Sequence, residues 1–576
     1  MDYKSPIYTE KTVCQDCYKC VRNCPVKAIK IKDNIASVIK ELCIFCGKCV
    51  SICPAGAKKI RNDINRAKTL LKIKEKVIAS IAPSFLAEFT DIPQDKLLLI
   101  FKKLGFYGVS ETALGAEIVS ENIKKQIQNK DFIISSACPT IVEYIKKYKH
   151  NLIKNLSVLS SPLLAHCKML RQIYGNDIGI IFIGPCISKK LEADNNPMLL
   201  NLALTFKEFR EWIANEKIMP EKSERETYKF IPYEAQKGKI YPVDGGMIKT
   251  LEENISICDN NFINLSGIDN IINILNNDDI HQEEFKFYEL LSCNGGCISG
   301  HGMTNTKSIL SKRKLIINNT PIKQNIEHNI KIKDLSIKMI YKPDNLIDNN
   351  YPENIIQNIL NKIGKYSKED ELNCGGCGYN TCRNFAKAVL DGKAELNMCV
   401  SFMRQLAQKK ANKLIQTMPS GVIIVDDKLQ VIECNYNFVN LIGENAKIIY
   451  NNISGLQGAN LRKIIPFYEI FEEVLETSND ILDKDIFYED KILKCSIFVI
   501  EKNHIIGGIF QDITQPTFKK EQIIRQAQKV IQKNLQTVQQ IAYLLGENAS
   551  ETEISLTSII DLFLPKNSQQ RGKNER

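Results

Sequence analysis

Apolar and polar positions change rhythm several times along the chain. Between residues 77 and 303, short apolar runs such as KVIASIAP (76–83), DFIISSACP (131–139) and IGIIFIGPC (178–186) end in Pro-bearing turns, with amphipathic helical stretches between them. Apolar runs of this length closed by turn residues read as buried strands, so this stretch is predicted to be α/β. From 412 to 514 the rhythm shortens. GVIIVD (421–426) and VIECN (431–435) read as strands before a helical NFVNLIG (437–443). A later strand pair lies around 492–501 and 504–512 and closes on Asp512-Ile513-Thr514. In the tail, Ile524, Ile531, Val538 and Leu545 alternate with Ala527, Asn534 and Ile541 in steps of three and four. β-Branched residues at three of the first positions favour a parallel dimeric coil, and Asn534 would fix its register; the rival is one amphipathic helix lying on its own sheet. A capping box, Ser550 to Glu553, opens a further short helix reaching Phe563, and the last residues read as a disordered end.

Cysteine changes this picture most. Cys14, Cys17, Cys20 and Cys24 are followed by Pro25, and Cys43, Cys46, Cys49 and Cys53 by Pro54. This is the spacing of two-cluster ferredoxins, in which the fourth cysteine of each run ligates the other cluster. Cys14, Cys17, Cys20 and Cys53 are thus expected to hold one 4Fe–4S cubane, and Cys43, Cys46, Cys49 and Cys24 the second. Zinc sites rarely repeat a four-cysteine run with a terminal Pro.

Three distant segments carry four more cysteines: Ser135-Ser136-Ala137-Cys138-Pro139, Gly184-Pro185-Cys186-Ile187-Ser188-Lys189-Lys190, and Glu289-Leu290-Leu291-Ser292-Cys293-Asn294-Gly295-Gly296-Cys297. Each lies at a predicted strand end or just beyond it, where open α/β sheets place ligands. Four thiolates from three loops can enclose a cubane, and the glycines allow close backbone approach. These segments resemble the three H-cluster motifs of iron-only (FeFe) hydrogenases, and the likeness covers about residues 1 to 310. The resemblance implies that Cys138, Cys186, Cys293 and Cys297 bind a cubane. Cys297 would bridge to a diiron subcluster carrying CO, cyanide and azadithiolate. It also implies that Ala82-Pro83-Ser84 hydrogen-bonds one cyanide and that Lys189 contacts the other, an anion that would satisfy a buried ammonium. Without that context, a surface salt bridge would account for Lys189.

Departures from the family pattern carry equal weight. The residue before the first ligand, a proton-relaying cysteine in the catalytic enzymes, is Ala137 here. A positioned acid–base group contributes about 10²–10⁴ in rate, so its loss raises the barrier by roughly 3–5 kcal/mol. Two methionines that usually shield the diiron site become Gly184 and Leu291, and the third motif ends in Gly300-His301-Gly302-Met303. His301, with an ordinary pKa near neutrality, is a substitute proton donor or a loop residue without a role. These replacements predict a slow or retuned hydrogen site.

Cys374, Cys377, Cys382 and Cys399 complete sixteen cysteines in ligand spacing out of twenty. Their pattern resembles the small cubane-binding domain of corrinoid iron–sulfur proteins, with a helical stretch from 383 to 394 expected to return Cys399 to the others; zinc is the rival. Cys167, Cys258, Cys434 and Cys495 have no partners at ligand spacing. The strand order of 412–514 resembles a PAS domain, a five-stranded antiparallel sheet whose D-I-T closure exits into a signalling helix. Its ligand is left open, and haem is disfavoured because His504 is its only histidine.

At 576 residues with 77 basic and 66 acidic side chains, net +11, the chain is multidomain and modestly basic. It lacks a clustered basic stripe interleaved with aromatics, which argues against nucleic acid. Its longest apolar stretch falls short of a membrane span. Many free thiols and no apolar leader point to a reducing cytoplasm. The expected organisation is a two-cluster ferredoxin domain (1–60), an H-cluster domain (61–365), a small 4Fe–4S domain (366–405), a PAS domain (406–515) and a signalling helix with tail (516–576). The fold class is therefore multidomain α/β and α+β. The preferred expectation is a sensory hydrogenase, an oxidoreductase that slowly cleaves H2. It would exchange electrons with a ferredoxin-like carrier, depend on hydrogenase maturation proteins, signal to a kinase or phosphatase in trans and dimerise through the coil. The alternatives are a fermentative ferredoxin-dependent hydrogenase and an iron–sulfur scaffold lacking the diiron centre.

Overall fold

The computed structural model describes residues 5–127, 132–218, 228–251, 261–277, 285–321, 335–346, 349–452, 455–514, and 529–538 except 531 and 535. Most of the predicted heptad positions and the capping box at Ser550 lie outside these residues, as does Cys258. The chain divides into two compact units, Met1–Leu396 and Asn397–Arg576.

The first sixty residues repeat their backbone as they repeat their cysteines. Two residues after Cys14 and Cys43 stand Asp16 (φ 53°) and Phe45 (φ 54°); directly after Cys17 and Cys46 stand Tyr18 (φ 55°) and Gly47 (φ 85°). These left-handed residues turn the chain back on itself before the short helices Lys19–Arg22 and Lys48–Ile52. The strands Ile29–Lys32 and Ile35–Val38 close a hairpin through Asp33 and Asn34, both at positive φ, as a two-residue turn requires. Strand Ile7–Thr9 pairs antiparallel with Lys58–Ile60.

Behind this segment the α/β body holds two parallel sheets. The first runs in the order Gly108–Glu111, Val77–Ile81, Gly179–Gly184, Leu202–Thr205. The second runs Phe262–Ser266, Phe287–Leu291, Ile133–Ile134. Val77–Ile81, Gly179–Gly184 and Phe287–Leu291 are buried throughout, as expected where helices cover both faces of a parallel sheet. The three cysteine-bearing loops therefore come from two sheets: Cys186 follows the first, while Cys138 and Cys293 follow the second.

Helix Pro139–Tyr148 starts directly after Cys138 with Pro at its first position, where the missing N–H costs nothing. Helices Ala113–Ile127 and Pro162–Tyr174 pack so closely that a Cβ on Gly115 would stand 2.1 Å from the Pro162 carbonyl oxygen. Later in this unit, the helix expected over 383–394 runs Cys382–Leu390 and stops four residues early. Asp391 caps it and Gly392 turns left-handed (φ 66°).

The second unit begins with helix Val400–Thr417, which has Cys399 as its N-cap. A five-stranded antiparallel sheet follows, in the order Val431–Cys434, Gly421–Asp426, Ile505–Asp512, Lys491–Glu501, Ile481–Tyr488. Strand Ile481–Tyr488 has an irregular alternation with four exposed residues in a row, which hides it from a period-two reading. Phe438, Phe471 and Phe510 fill the core with no exposed surface. Buried Asn435 ties helix to sheet: its Nδ2 donates to the carbonyls of Ile415 and Ser420 at 2.8 Å, and its Oδ1 accepts from Val422 N and Phe438 N at 2.8 and 2.9 Å. Cys434 and Cys495 belong to the core of this unit and Cys167 to that of the first.

Candidate functional site

The carboxyl ends of the two parallel sheets face a cavity of about 110 Å³ lined mostly by apolar side chains. Cys138, Cys186, Cys293 and Cys297 all open onto it, with Pro83, Ser84, Ala137, Lys189, Leu291 and His301. Burial raises the pKa of Cys186 to about 11, and it raises Cys293 and Cys297 further, with the neighbouring thiols adding to the shift. Each of the last two lies within electrostatic reach of Cys138 and Cys186. A thiol so raised is neutral at ordinary pH unless a metal takes its proton's place.

Ser84 lies at the amino end of the short helix Phe85–Glu88 and has no exposed surface. Its Oγ makes no hydrogen bond. A buried hydroxyl without a partner costs about 1–3 kcal/mol, so the position calls for an acceptor in the cavity. The donor set (four thiols) and this orphaned hydroxyl fit an iron–sulfur group that carries anionic ligands. The Lys189 ammonium, on helix Ser188–Asn195, donates to Ser161 Oγ at 3.0 Å and pairs with Glu192 Oε2 at 2.6 Å. The buried lysine thus has a protein anion of its own at the cavity wall.

Several wall residues had no signal in the motif spacing. Phe182 shares a strand face with Gly184, where a Cβ would fall 2.3 Å from the Phe182 ring. The ring fills the space that a longer side chain at 184 would take. Glu289, on strand Phe287–Leu291, accepts from Ile248 N at 3.1 Å through Oε2, while its Oε1 is buried without a partner. Burial raises its pKa to about 8. Thr112 reaches the cavity from a buried chain: its Oγ1 meets Ser80 Oγ, which meets His166 Nδ1, each at 2.8 Å. Burial holds His166 neutral, near pKa 3. His301 Nδ1 lies 2.5 Å from Ser51 Oγ, and burial, with Lys48 nearby, lowers its pKa. The imidazole is therefore neutral near pH 7, poorly suited to donate a proton there.

The first eight cysteines gather as two crossed sets. Cys20 lies within electrostatic reach of Cys17, Cys14 and Cys53, and Cys49 of Cys46, Cys43 and Cys24. Equivalent amides point at the crossing sulfurs: Ala28 N donates to Cys24 Sγ at 3.3 Å and Ala57 N to Cys53 Sγ at 3.2 Å. Phe45 and Cys46 also line the cavity, and Cys293 feels Cys46. The second set therefore adjoins the cavity. Among the described residues, no group of three or more His, Cys, Asp or Glu could hold a single metal ion.

Cys374 is exposed, and Cys377 and Cys382 are half-buried, in the first unit; Cys399 is buried in the second. Asn373 Oδ1 accepts from Cys382 N at 2.8 Å, which folds the loop around the first three.

Residues 75–301 match the family described as iron only hydrogenase large subunit, C-terminal domain. Residues 6–54 match the 4Fe-4S dicluster domain, and residues 370–401 a putative Fe-S cluster domain. A curated relative, the cytosolic Fe-S cluster assembly factor NAR1 of Candida dubliniensis, is 36% identical over 113 residues, 17% of this chain and 19% of the relative. The chain thus spans about a fifth of that relative's length. A structure of the FeFe-hydrogenase HydA1 from Chlamydomonas reinhardtii is similar at 16% identity and TM-score 0.36, over 45% of this chain and 88% of that one. The PAS domain of an HTR-like protein from Haloarcula marismortui is similar at 14% identity and TM-score 0.14, over 19% and 94%. The chain therefore contains an iron-only hydrogenase large-subunit domain and separate iron–sulfur domains. No helix among the described residues is long and apolar enough to cross a membrane.

Proposed function

We propose that this protein is a low-turnover hydrogen sensor. Its first unit would meet dihydrogen at the four-cysteine cavity, and its second would pass the resulting state to a kinase or phosphatase in trans. The observation that carries this reading is the meeting of four half-buried thiols, the orphaned Ser84 hydroxyl and the Lys189 ammonium around one cavity. Cys138, Cys186, Cys293 and Cys297 would hold the cubane of an H-cluster, and Cys297 the bridge to a diiron unit with CO, cyanide and azadithiolate. That unit, when bound, supplies heterolytic cleavage of dihydrogen. Ser84 Oγ offers one hydrogen bond to an anionic ligand, and Lys189, steadied by Glu192, offers a cation. Phe182, Leu291 and Ala137 keep the wall apolar and exclude water. Ala137 cannot move a proton, which suits a reporter: a sensor needs differential affinity for two states, not flux.

The other cysteine sets would carry three further cubanes, giving four in all. A ferredoxin-like carrier would exchange electrons with them, and maturation proteins would install the diiron unit. We read residues 421–512 as a PAS-like sheet, supported by the strand order and the D-I-T closure. A cytoplasmic location and a dimer through the tail belong to the same reading.

The likeness to a cytosolic iron–sulfur assembly factor favours a second reading, a scaffold that keeps its cubanes and never receives the diiron unit. Infrared spectra after co-expression with hydrogenase maturation proteins separate the two. The sensor reading expects bands from metal-bound CO and cyanide that respond to hydrogen gas, with about eighteen iron atoms per chain. Absent bands and about sixteen iron atoms would leave the scaffold.

A further inference from the structure

The small cysteine module rests on one particular part of the ferredoxin-like segment. Arg22 Nη1 donates to the Gly376 carbonyl at 3.4 Å. Gly378 (φ 94°) lies flat on the same turn: a Cβ there would stand 2.8 Å from Val21 Cγ1 and 3.1 Å from Arg22 N. Two more bonds hold the module to the hairpin, Ile31 N to the Lys393 carbonyl at 2.9 Å and Asp33 N to Glu395 Oε1 at 2.8 Å.

Val21 and Arg22 sit between Cys20 and Cys24, which belong to different crossed sets. The Val21–Arg22 turn meets the module on its Cys24 side, where thiols of both are reached by the same groups; on the other side it is Glu395 of the module that comes within electrostatic reach of Asp16 and Tyr18. Lys27 Nζ donates to the Val21 and Arg22 carbonyls at 3.3 and 3.2 Å. Its ammonium and the buried Tyr379 ring each stand within electrostatic reach of both Cys24 and Cys377. The far side of the same set, at Cys46, adjoins the H-cluster cavity.

From this placement we propose that the set Cys43–Cys46–Cys49–Cys24 is an electron junction, joined to the cavity through its Cys46 side and to the Cys374–Cys377–Cys382 module through its Cys24 side. The Cys14–Cys17–Cys20–Cys53 set is then a second branch from the junction, not the obligatory way out. The inference rests on the hydrogen reading above and adds its route. Oxidation of one dihydrogen yields two protons and two electrons; the protons go to solvent. Each oxidised cubane accepts one electron, so one electron can settle in the small module and the other in the ferredoxin branch. The module thereby records in one electron what happened at the cavity, and it does so in the stretch of chain that leads into the second unit.

The test uses the full chain carrying its cubanes but no diiron unit, reduced stepwise with dithionite and followed by electron paramagnetic resonance. The expected spectrum shows the small-module signal split by spin coupling to the junction cluster. That splitting survives Cys14→Ser, which removes a ligand of the other branch. Gly378→Val keeps every ligand but forces the loop off Val21 and Arg22, and it reduces the splitting at least twofold. A splitting that is absent in the wild type, vanishes with Cys14→Ser, or is unchanged by Gly378→Val overturns the proposal. Because the sample lacks the diiron unit, failure here leaves the hydrogen reading standing, and missing infrared bands would leave this wiring standing.

Discussion

At the scale of single residues, the cavity wall tells most about rate. Ala137 lines the cavity beside Cys138 and cannot itself carry a proton; His166 and His301 are held neutral by burial, which leaves Glu289, raised to about 8, as the protonated group on the same wall. Ala137→Cys restores an ionisable group there, and hydrogen–deuterium exchange by the matured protein should rise by about 10² or more. Ala137→Ser, whose hydroxyl does not ionise in this range, should give little; equal rates in all three proteins would show that protons travel elsewhere. A second residue sets a pH dependence. Glu111 is fully buried, with Lys239 Nζ at 3.4 Å from an Oε1 that makes no hydrogen bond. Burial outweighs that cation and raises its pKa from 4.5 to about 7. Between those values the folded chain keeps a proton that the unfolded chain has lost. The resulting stability is complete below pH 4.5 and is lost as the pH climbs through 7, by an amount on the order of 3 kcal/mol. Thermal unfolding of the cluster-free chain at pH 5 and pH 8 should show this fall, and Glu111→Gln should flatten it. Little of this was legible in the sequence. Candidate ligand cysteines announce themselves by spacing, and Ser84 and Lys189 by their place in a motif. Phe182, Glu289 and Glu111 act through neighbours brought in from other strands, which spacing cannot show.

At the scale of elements, adjacent lysines do different work. Lys189 faces the cavity, whereas Lys190, with no exposed surface, turns inward. Its Nζ meets Asp63 Oδ2 at 2.8 Å, Glu208 Oε1 at 2.9 Å and the Ala203 carbonyl at 2.9 Å. Arg61 extends the network, from Asp63 at 3.0 Å to Asp194 at 2.8 Å. Three elements meet there: the segment after strand Lys58–Ile60, helix Ser188–Asn195 and helix Phe206–Glu216, whose capping box Glu208 shares with Thr205. Lys190→Met removes the cation and leaves two buried carboxylates facing each other, which should cost about 3–5 kcal/mol in urea unfolding of the cluster-free chain. A loss below about 1 kcal/mol would mean that the carboxylates find other partners. The strands before Cys138 and Cys186 were readable as apolar runs, because burial on both faces leaves no alternation to misread; Phe287–Leu291, interrupted by Glu289, was placed only through the cysteine motif that follows it. The division of these strands between two sheets was not readable, since the pairings of Gly179–Gly184 with Val77–Ile81 and of Phe287–Leu291 with Ile133–Ile134 join residues more than a hundred positions apart. Helix Cys382–Leu390 fell short of expectation because the Asp391-Gly392 turn outweighs the helical run before it.

At the scale of the molecule, the repeated cysteine runs stand out in the sequence, whereas the joints between segments do not. The ferredoxin-like segment is fastened to the α/β body by the helix that begins at a cavity cysteine. Cys138 is the N-cap of helix Pro139–Tyr148, and at its far end Lys147 Nζ donates to the Cys43 carbonyl at 2.7 Å and Tyr148 Oη to the Leu42 carbonyl at 2.6 Å. Ser188 Oγ, two residues beyond Cys186, holds the Phe45 carbonyl at 2.9 Å. Cysteines of the cavity and of the proposed junction set are thus joined through one hydrogen-bonded frame, which on the hydrogen reading would set the gap that an electron crosses. The Lys147 ammonium also stands 5.7 Å above the Phe45 ring, close to the junction set, with Glu143 at 3.3 Å screening it in part. A cubane gains negative charge on reduction, so a nearby cation favours the reduced form. Lys147→Met should therefore lower the midpoint potential of the junction cluster, by an amount on the order of tens of millivolts. Tyr148→Phe removes a hydrogen bond from the same clamp without changing charge and serves as the control. If both substitutions shift the potential equally, the frame and not the charge sets it; if Lys147→Met raises the potential, the ammonium does not act on the cluster as its position indicates.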